Sequence, residues 1–229
     1  MVLVERLQAE ELMDDPALPA ATYTAVLHDL AKVNRVTLGY RPTLRFIRRA
    51  VGGRKRFSVL DVGFGDGDML RRIARLAAAR GQEARLVGVD LNPNSVAAAR
   101  AVTHAALPIE YRHGDYADLA GEGWDCVISS LVAHHMTRDQ LIAFLRFMDA
   151  EAQAGWFVND LHRHGFAHAG YPWLARLMRW HPIVRHDGLI SIARSYRPHE
   201  WPPMLAAAGV SGALVFRAFP FRLCVEKLR

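Results

Sequence analysis

An alternation of short apolar runs with helical stretches, beginning at residue 58, narrows the possible folds most. In order the segments are SVLDVG (58–63), LRRIARLAAA (70–79), RLVGVD (85–90), SVAAARAVTHAA (95–106), IEYRHGD (109–115), WDCVISS (124–130), QLIAFLRFMDA (140–150) and AGWFVNDL (154–161). Strands separated by helices return parallel to one another, and runs that stay apolar rather than alternating belong to a sheet covered on both faces. The chain is therefore predicted to be an α/β protein of the doubly wound kind, with helices on both faces.

The flanking segments read differently. Residues 3–50 carry no strand signal, and Val26, Leu27, Leu30, Val33 and Leu38 recur at helical spacing, with Pro16 and Pro19 breaking the early part. Asn92 before Pro93 is a helix cap, and Thr137 with Gln140 fits a capping box for a helix over 138–150. PMLAAAGV (203–210) reads as a helix stopped by Gly209; ALVFRAF and FRLCVEKL then read as two strands separated by Pro220, an antiparallel hairpin. Residues 162–195 interrupt the alternation with Trp173, Leu174, Leu177, Met178 and Trp180 at helical spacing, which suits an inserted lid. At 229 residues the expectation is one domain: a helical cap (1–50), a core (51–161), the insert (162–195) and a last helix with terminal strands (196–229).

Composition excludes several classes. No stretch approaches a membrane span, and the start, MVLVERLQAEELMDD, turns acidic before a secretory apolar core forms, so a cytoplasmic protein is expected. Cys126 and Cys224 are far apart without CxxC spacing, which argues against a disulfide framework or a cysteine zinc site. The net charge of +6 raises the question of nucleic acid, yet only three of the twenty-nine basic residues are lysines, and arginine is spread along the whole chain. Residues 162–200 hold six arginines against two acids, a local excess compatible with an anionic partner.

Gly63, Gly65 and Gly67 in VLDVGFGDGDML lie between a strand and a helix, where the backbone must turn sharply and free N–H groups face a ligand. Asp90 ends the second strand, placed to accept from both hydroxyls of a ribose, and Asp115, followed by Tyr116, ends the third, placed to accept from an exocyclic amine beside a stacking ring. Asp61 is expected to brace the loop by accepting from its N–H groups. Neither GxGxxG nor GK[ST] is present, which argues against a dinucleotide or a phosphate clamp.

With these residues in place, VLDVGFGDGDML, GVDLNP, RHGDYADL and WDCVISSLVAHHM resemble the successive motifs of class I S-adenosylmethionine-dependent methyltransferases of the small-molecule type. The resemblance implies a Rossmann-like sheet of seven strands, only the last antiparallel, and S-adenosylmethionine as cofactor. It places Gly63, Gly65 and Gly67 along the methionine moiety, Asp90 with Leu91 at the ribose, Asp115 and Tyr116 at the adenine, and Ser130 beside them. Asp66 departs from the small or hydroxyl residue usual there, and capping of the next helix is its favoured role.

Methyl transfer needs a nucleophile held in line and relieved of its proton. His134 and His135 follow the fourth strand, and a neutral histidine there is the candidate base, His135 ahead of His134. Asn159 and Asp160 end the fifth strand, placed to orient an acceptor or assist His135. His162, His164 and His168 lack a completing carboxylate or cysteine, so no metal is expected. Phe166, Tyr171, Trp173, Leu174 and Trp180 suit a cover over an apolar acceptor, and equally a helix seam or homodimer contact. The resulting expectation is O-methylation of a small aromatic such as a phenol or quinol in secondary or quinone metabolism. The alternatives are an RNA-binding methyltransferase using the arginine-rich insert and a non-catalytic cofactor-binding partner protein.

Overall fold

A computed structural model describes residues 3–229. Seven strands form one sheet in the order β3-β2-β1-β4-β5-β7-β6. They are β1 (Arg56–Val62), β2 (Glu83–Asp90), β3 (Ile109–His113), β4 (Trp124–Ser130), β5 (Ala152–Leu161), β6 (Leu214–Ala218) and β7 (Arg222–Leu228). β7 runs antiparallel between β5 and β6, and β1 to β5 pair parallel to their neighbours. β7 is thus the one reversed strand of the Rossmann-like sheet, as the terminal hairpin and the resemblance lead one to expect. Strand order reverses between β1 and β4, which opens a crevice at their carboxyl ends.

The helices are α1 (Ala20–Val36), α2 (Arg41–Val51), α3 (Asp68–Ala79), α4 (Pro93–Val102), α5 (Arg138–Glu151), α6 (Gly165–Leu177), α7 (Pro182–Arg194) and α8 (Trp201–Ala207). Their starts follow local chemistry: Asn92 accepts from Asn94 N–H, and Thr137 with Gln140 closes a capping box. α4 ends at Val102, sooner than the apolar pattern suggests: Thr103 is already extended (φ −102°, ψ 123°), with its hydroxyl donating to the Ala99 carbonyl and lying 2.9 Å from the Tyr111 hydroxyl. One sheet face packs on α5 and α8 through Phe144, Trp156 and Trp201; the other packs on α2 and α3 through Phe46, Phe157, Leu70 and Ile73. Each fully buried ring or aliphatic side chain contributes roughly 1.5–3 kcal/mol, so the sheet is a rigid platform for its edge loops. Among the described residues no helix is long and apolar enough to cross a membrane.

The insert 162–195 becomes the pair α6 and α7. Trp180 and Ala175 pack with Val26 of α1, so the insert rests on the N-terminal helices rather than on the sheet. Residues 3–18 cross the same region as a strap interrupted by one 3₁₀ turn (Leu12–Asp14). Leu7 N–H donates to the Ala193 carbonyl, Leu12 and Met13 N–H donate to Asp187, and Arg6 reaches the carbonyls of His134 and Met136.

Candidate functional site

A cavity of about 1060 Å³ runs from the crevice beneath the strap, α1, α6 and α7. Its sheet end is built by the glycine loop. Gly63 has φ +75°, donates to the Val89 carbonyl at 2.8 Å, and a Cβ there would stand 2.3 Å from Val132 Cγ2. Gly65 N–H donates to Asp90 Oδ2 and Asn92 N–H to Asp90 Oδ1, both at 2.9 Å, so two backbone groups fix the Asp90 carboxylate. Both of its oxygens keep further acceptor capacity toward the cavity, which Asp90 lines. Gly67 is not part of this lining: at φ +76° it faces Tyr111, whose hydroxyl would meet a Cβ at 2.3 Å. That glycine serves helix-on-sheet packing. Asp66 accepts from Asp68 N–H and pairs with buried Arg71 at 3.0 Å, a helix-start role.

Asp61 is placed differently from expectation. Among the described residues no hydrogen bond reaches its carboxyl; Gly63 N–H goes to Val89 instead, and Asp61 faces the cavity only 2% exposed. Burial, reinforced by the nearby Asp90, pushes its pKa up to about 8. Ser130 Oγ also lines the cavity, buried and without a partner. Tyr116 lies half-buried against Phe144 and Phe147, with ring centroids 4.9 and 4.8 Å away, and presents itself to the cavity. Leu91 forms the exposed rim. Asp115 lies outside the lining and caps the 3₁₀ turn 116–119 by accepting from Ala117 N–H. One of its oxygens remains free.

Beyond β4 the chain turns through Leu131 at φ +62°, an unusual conformation for a leucine, with its N–H on the Asn159 carbonyl. This turn lays His134 and His135 against each other at a ring distance of 4.2 Å. His134 is 2% exposed; its N–H donates to Asp160 Oδ2 at 2.9 Å and its Nδ1 lies 2.7 Å from Asp160 Oδ1. Its Nε2 lies 3.5 Å from Glu11 Oε1. Burial alone would lower the His134 pKa, but Asp160 and Glu11 outweigh it and carry it up to about 9, so His134 is a cation near neutrality. Asp160 in turn is held low by that imidazolium despite burial.

His135 is more open, with Nδ1 at 3.0 Å from Asp14 Oδ2 and Nε2 at 3.9 Å from Glu11 Oε2. Arg194 Nη1 lies 3.8 Å from Glu11 and 3.6 Å from Asp14. Glu11, His134 and His135 bring three donor atoms within 4.8 Å of one another, a set with the right chemistry for a divalent ion. Here Arg194 and the His134 proton supply positive charge to the two strap carboxylates and Asp160.

Several expected partnerships are rearranged. Asp160 engages His134 rather than His135, and Asn159 turns away from the cavity, donating to the Gly39 carbonyl at 2.7 Å and to Thr43 Oγ1 at 3.0 Å. His162 lines the cavity but is held down to about 4 by burial and surrounding cations. Arg163 and Arg194 point inward, Arg163 onto Glu200 at 2.6 Å. Phe166, Tyr171 and Leu174 line the cavity, Trp180 is buried beneath it, and Trp173 faces out. Glu11, Asp14 and Arg6 carried no sequence signal, since nothing in an acidic leader indicates that it folds back over the fourth strand.

The methyltransferase domain family matches residues 59–151. No curated protein matches the chain. Among solved structures, PigF with S-adenosylhomocysteine shares 17% identity at a TM-score of 0.54, over 75% of this chain and 50% of that one. Human N-acetylserotonin methyltransferase with S-adenosylmethionine shares 16% at 0.65, over 97% and 60%. The plantazolicin methyltransferase BpumL, bound to S-adenosylhomocysteine and a desmethyl analogue, shares 12% at 0.63, over 92% and 96%. The chain thus spans about half of PigF and three fifths of the human enzyme. At these identities the likeness concerns the fold.

Proposed function

We propose, on the premise that residues 59–151 are a methyltransferase domain of the class I S-adenosylmethionine-dependent kind, that the protein methylates an oxygen of a small, largely apolar aromatic acceptor bound beneath α6 and α7. The residues at the sheet end fit the cofactor. Asp61 is a buried carboxyl with no partner, facing the cavity where an ammonium group would satisfy it. Asp90 is prefixed by two backbone N–H groups to accept ribose hydroxyls. Tyr116 lines the cavity and offers its ring to a planar base, while Asp115 lies outside the lining, so its part in holding an exocyclic amine rests on the sequence resemblance. When bound, the cofactor supplies a methyl group on a sulfonium, moved by in-line displacement.

The acceptor end supports the chemistry. Leu30, Phe166, Tyr171, Leu174 and Phe221 line the cavity there, so an apolar body is favoured over a phosphate-rich one. The inward pairing of Arg163 and Arg194 takes two of the insert's arginines out of any nucleic-acid surface. His135 is the observation that carries the reading. Its Nδ1 lies 3.0 Å from Asp14 Oδ2 and the ring lines the cavity; in the proposed reaction the proton sits on Nδ1 toward Asp14 and Nε2 takes the acceptor proton. His134, with both nitrogens engaged, is a positioning residue: it locks the 131–136 turn between Asp160 and Glu11.

The test is mass-shift detection of methylated product from a panel of phenols, quinols, amines and RNA. On the best acceptor, His135→Ala is expected to lower kcat about 10²–10⁴-fold while cofactor affinity stays unchanged. Full turnover in that variant removes the base assignment.

A further inference from the structure

The cavity accounts for one side of α6. Phe166 at its edge, with Trp173 and Leu177 beyond it, forms a second apolar stripe whose members are 78%, 76% and 79% exposed. Their spacing of seven and four residues puts them within one narrow stripe of the helix, and the residues between them on that face are Ala169 and Gly170. The opposite side is also apolar, with Ala167, Tyr171, Leu174 and Ala175 turned toward the cavity and α1. Two apolar faces on one helix, one of them buried against the cavity and α1, leave the other to be covered by something outside the fold.

The stripe continues beyond the helix. The His164 ring lies 5.8 Å from that of Phe166 and 5.3 Å from that of Phe221, so it bridges α6 to the β6–β7 turn. Phe219 at the tip of that turn is 84% exposed, and Phe221 is 43% exposed. Phe166 and Phe221 line the cavity as well, so the patch surrounds its mouth.

Charge selects the occupant. Arg176 is exposed on α6 and Arg217 on β6 ahead of the turn, while Arg179 and Arg185 are exposed where α7 begins, at a shallow pocket shared with Asp29 and Lys32; none of the four makes an ion pair or side-chain hydrogen bond among the described residues. The two acids of 162–200 are already engaged, Asp187 on the strap and Glu200 on Arg163. The face is thus apolar with unneutralised arginines and no free carboxylate from its own segment. A second copy would set these arginines against one another across a twofold axis, whereas an anionic bilayer complements both features.

We propose that α6 and the β6–β7 turn dock the protein on an anionic membrane surface. Phe166, Trp173, Leu177 and Phe219 enter the acyl boundary, and Arg176, Arg179, Arg185 and Arg217 meet lipid phosphates. If the proposed methyl transfer holds, an apolar acceptor dissolved in the leaflet reaches the cavity between Phe166 and Phe221 without crossing water.

The experiment is co-sedimentation of the purified full chain, without cofactor or acceptor, with vesicles of phosphatidylglycerol and phosphatidylcholine against phosphatidylcholine alone. It therefore reads docking independently of any methyl transfer. Binding is expected to be at least about tenfold tighter to the anionic vesicles and to weaken in high salt. Trp173→Ser with Leu177→Ser, outside the cavity lining, is expected to weaken it by about tenfold or more, and Arg176→Gln with Arg179→Gln by a similar factor. Unaltered circular dichroism guards against misfolding in each pair. Equal partition onto both vesicle types overturns the proposal. So does light scattering that shows a dimer which Trp173→Ser with Leu177→Ser dissolves.

Discussion

Removing the acid that holds His134 gives the sharpest test of the buried network. In Asp160→Asn the amide keeps an oxygen for one contact but offers an N–H where the His134 ring nitrogen or backbone N–H now donates, at 2.7 and 2.9 Å. Removing one partner of a buried ion pair costs about 3–5 kcal/mol. The proton adds a pH signature. His134 rises from 6.5 unfolded to about 9 folded, which at about 1.4 kcal/mol per tenfold change in proton affinity corresponds to about 3 kcal/mol. A raised histidine stabilises fully below its unfolded value, and the contribution is lost as pH climbs from 6.5 through 9. Asp61 also titrates in this range: its stability falls as pH rises toward about 8, because the folded state keeps the proton longer. That slope is common to both proteins and cancels in the difference between wild type and variant. Urea unfolding at pH 6, 8 and 10 is therefore expected to show a wild-type advantage of several kcal/mol at pH 6 that shrinks by about 2–3 kcal/mol at pH 10. A difference that stays constant across this range refutes the buried imidazolium.

The other expectations are simpler. S-adenosylmethionine binding at pH 7 should release close to one proton, because its ammonium ionises an Asp61 carboxyl held near 8; affinity should rise with pH up to that value, and calorimetry in buffers of different ionisation enthalpy should lose the proton in Asp61→Asn. Gly67→Ala combines a φ of +76° with the Tyr111 hydroxyl 2.3 Å from the new Cβ, and should cost about 3 kcal/mol. Gly81→Ala, at φ +63° in open space, should cost only about 1 kcal/mol; equal losses in thermal melts would show that the Tyr111 contact is irrelevant.

Sequence reasoning reaches the sheet because its signals are local. Alternating runs, caps at Asn92 and Thr137, and glycines at a strand end act within a few residues, and the strands and α5 appear where those signals lie. Gly67 and Asp61 show the limit. Spacing puts both in the loop motif, yet whether a glycine is needed for ligand approach or for packing depends on Tyr111, forty-four residues away. Whether Asp61 braces the loop depends on Gly63 choosing the β2 carbonyl of Val89 instead.

The acceptor end was least legible for the same reason taken further. The charge on His134 and the contacts of His135 depend on Asp160, Glu11 and Asp14, and two of these come from the strap, more than a hundred residues earlier. The strap is held there by Arg6 on the carbonyls of His134 and Met136 and by Asp187 of α7 on Leu12 and Met13 N–H. The segment that covers the cavity therefore also orients the imidazole inside it. In the proposed reaction the cover over the acceptor and the orientation of the base rest on the same two residues, Glu11 and Asp14.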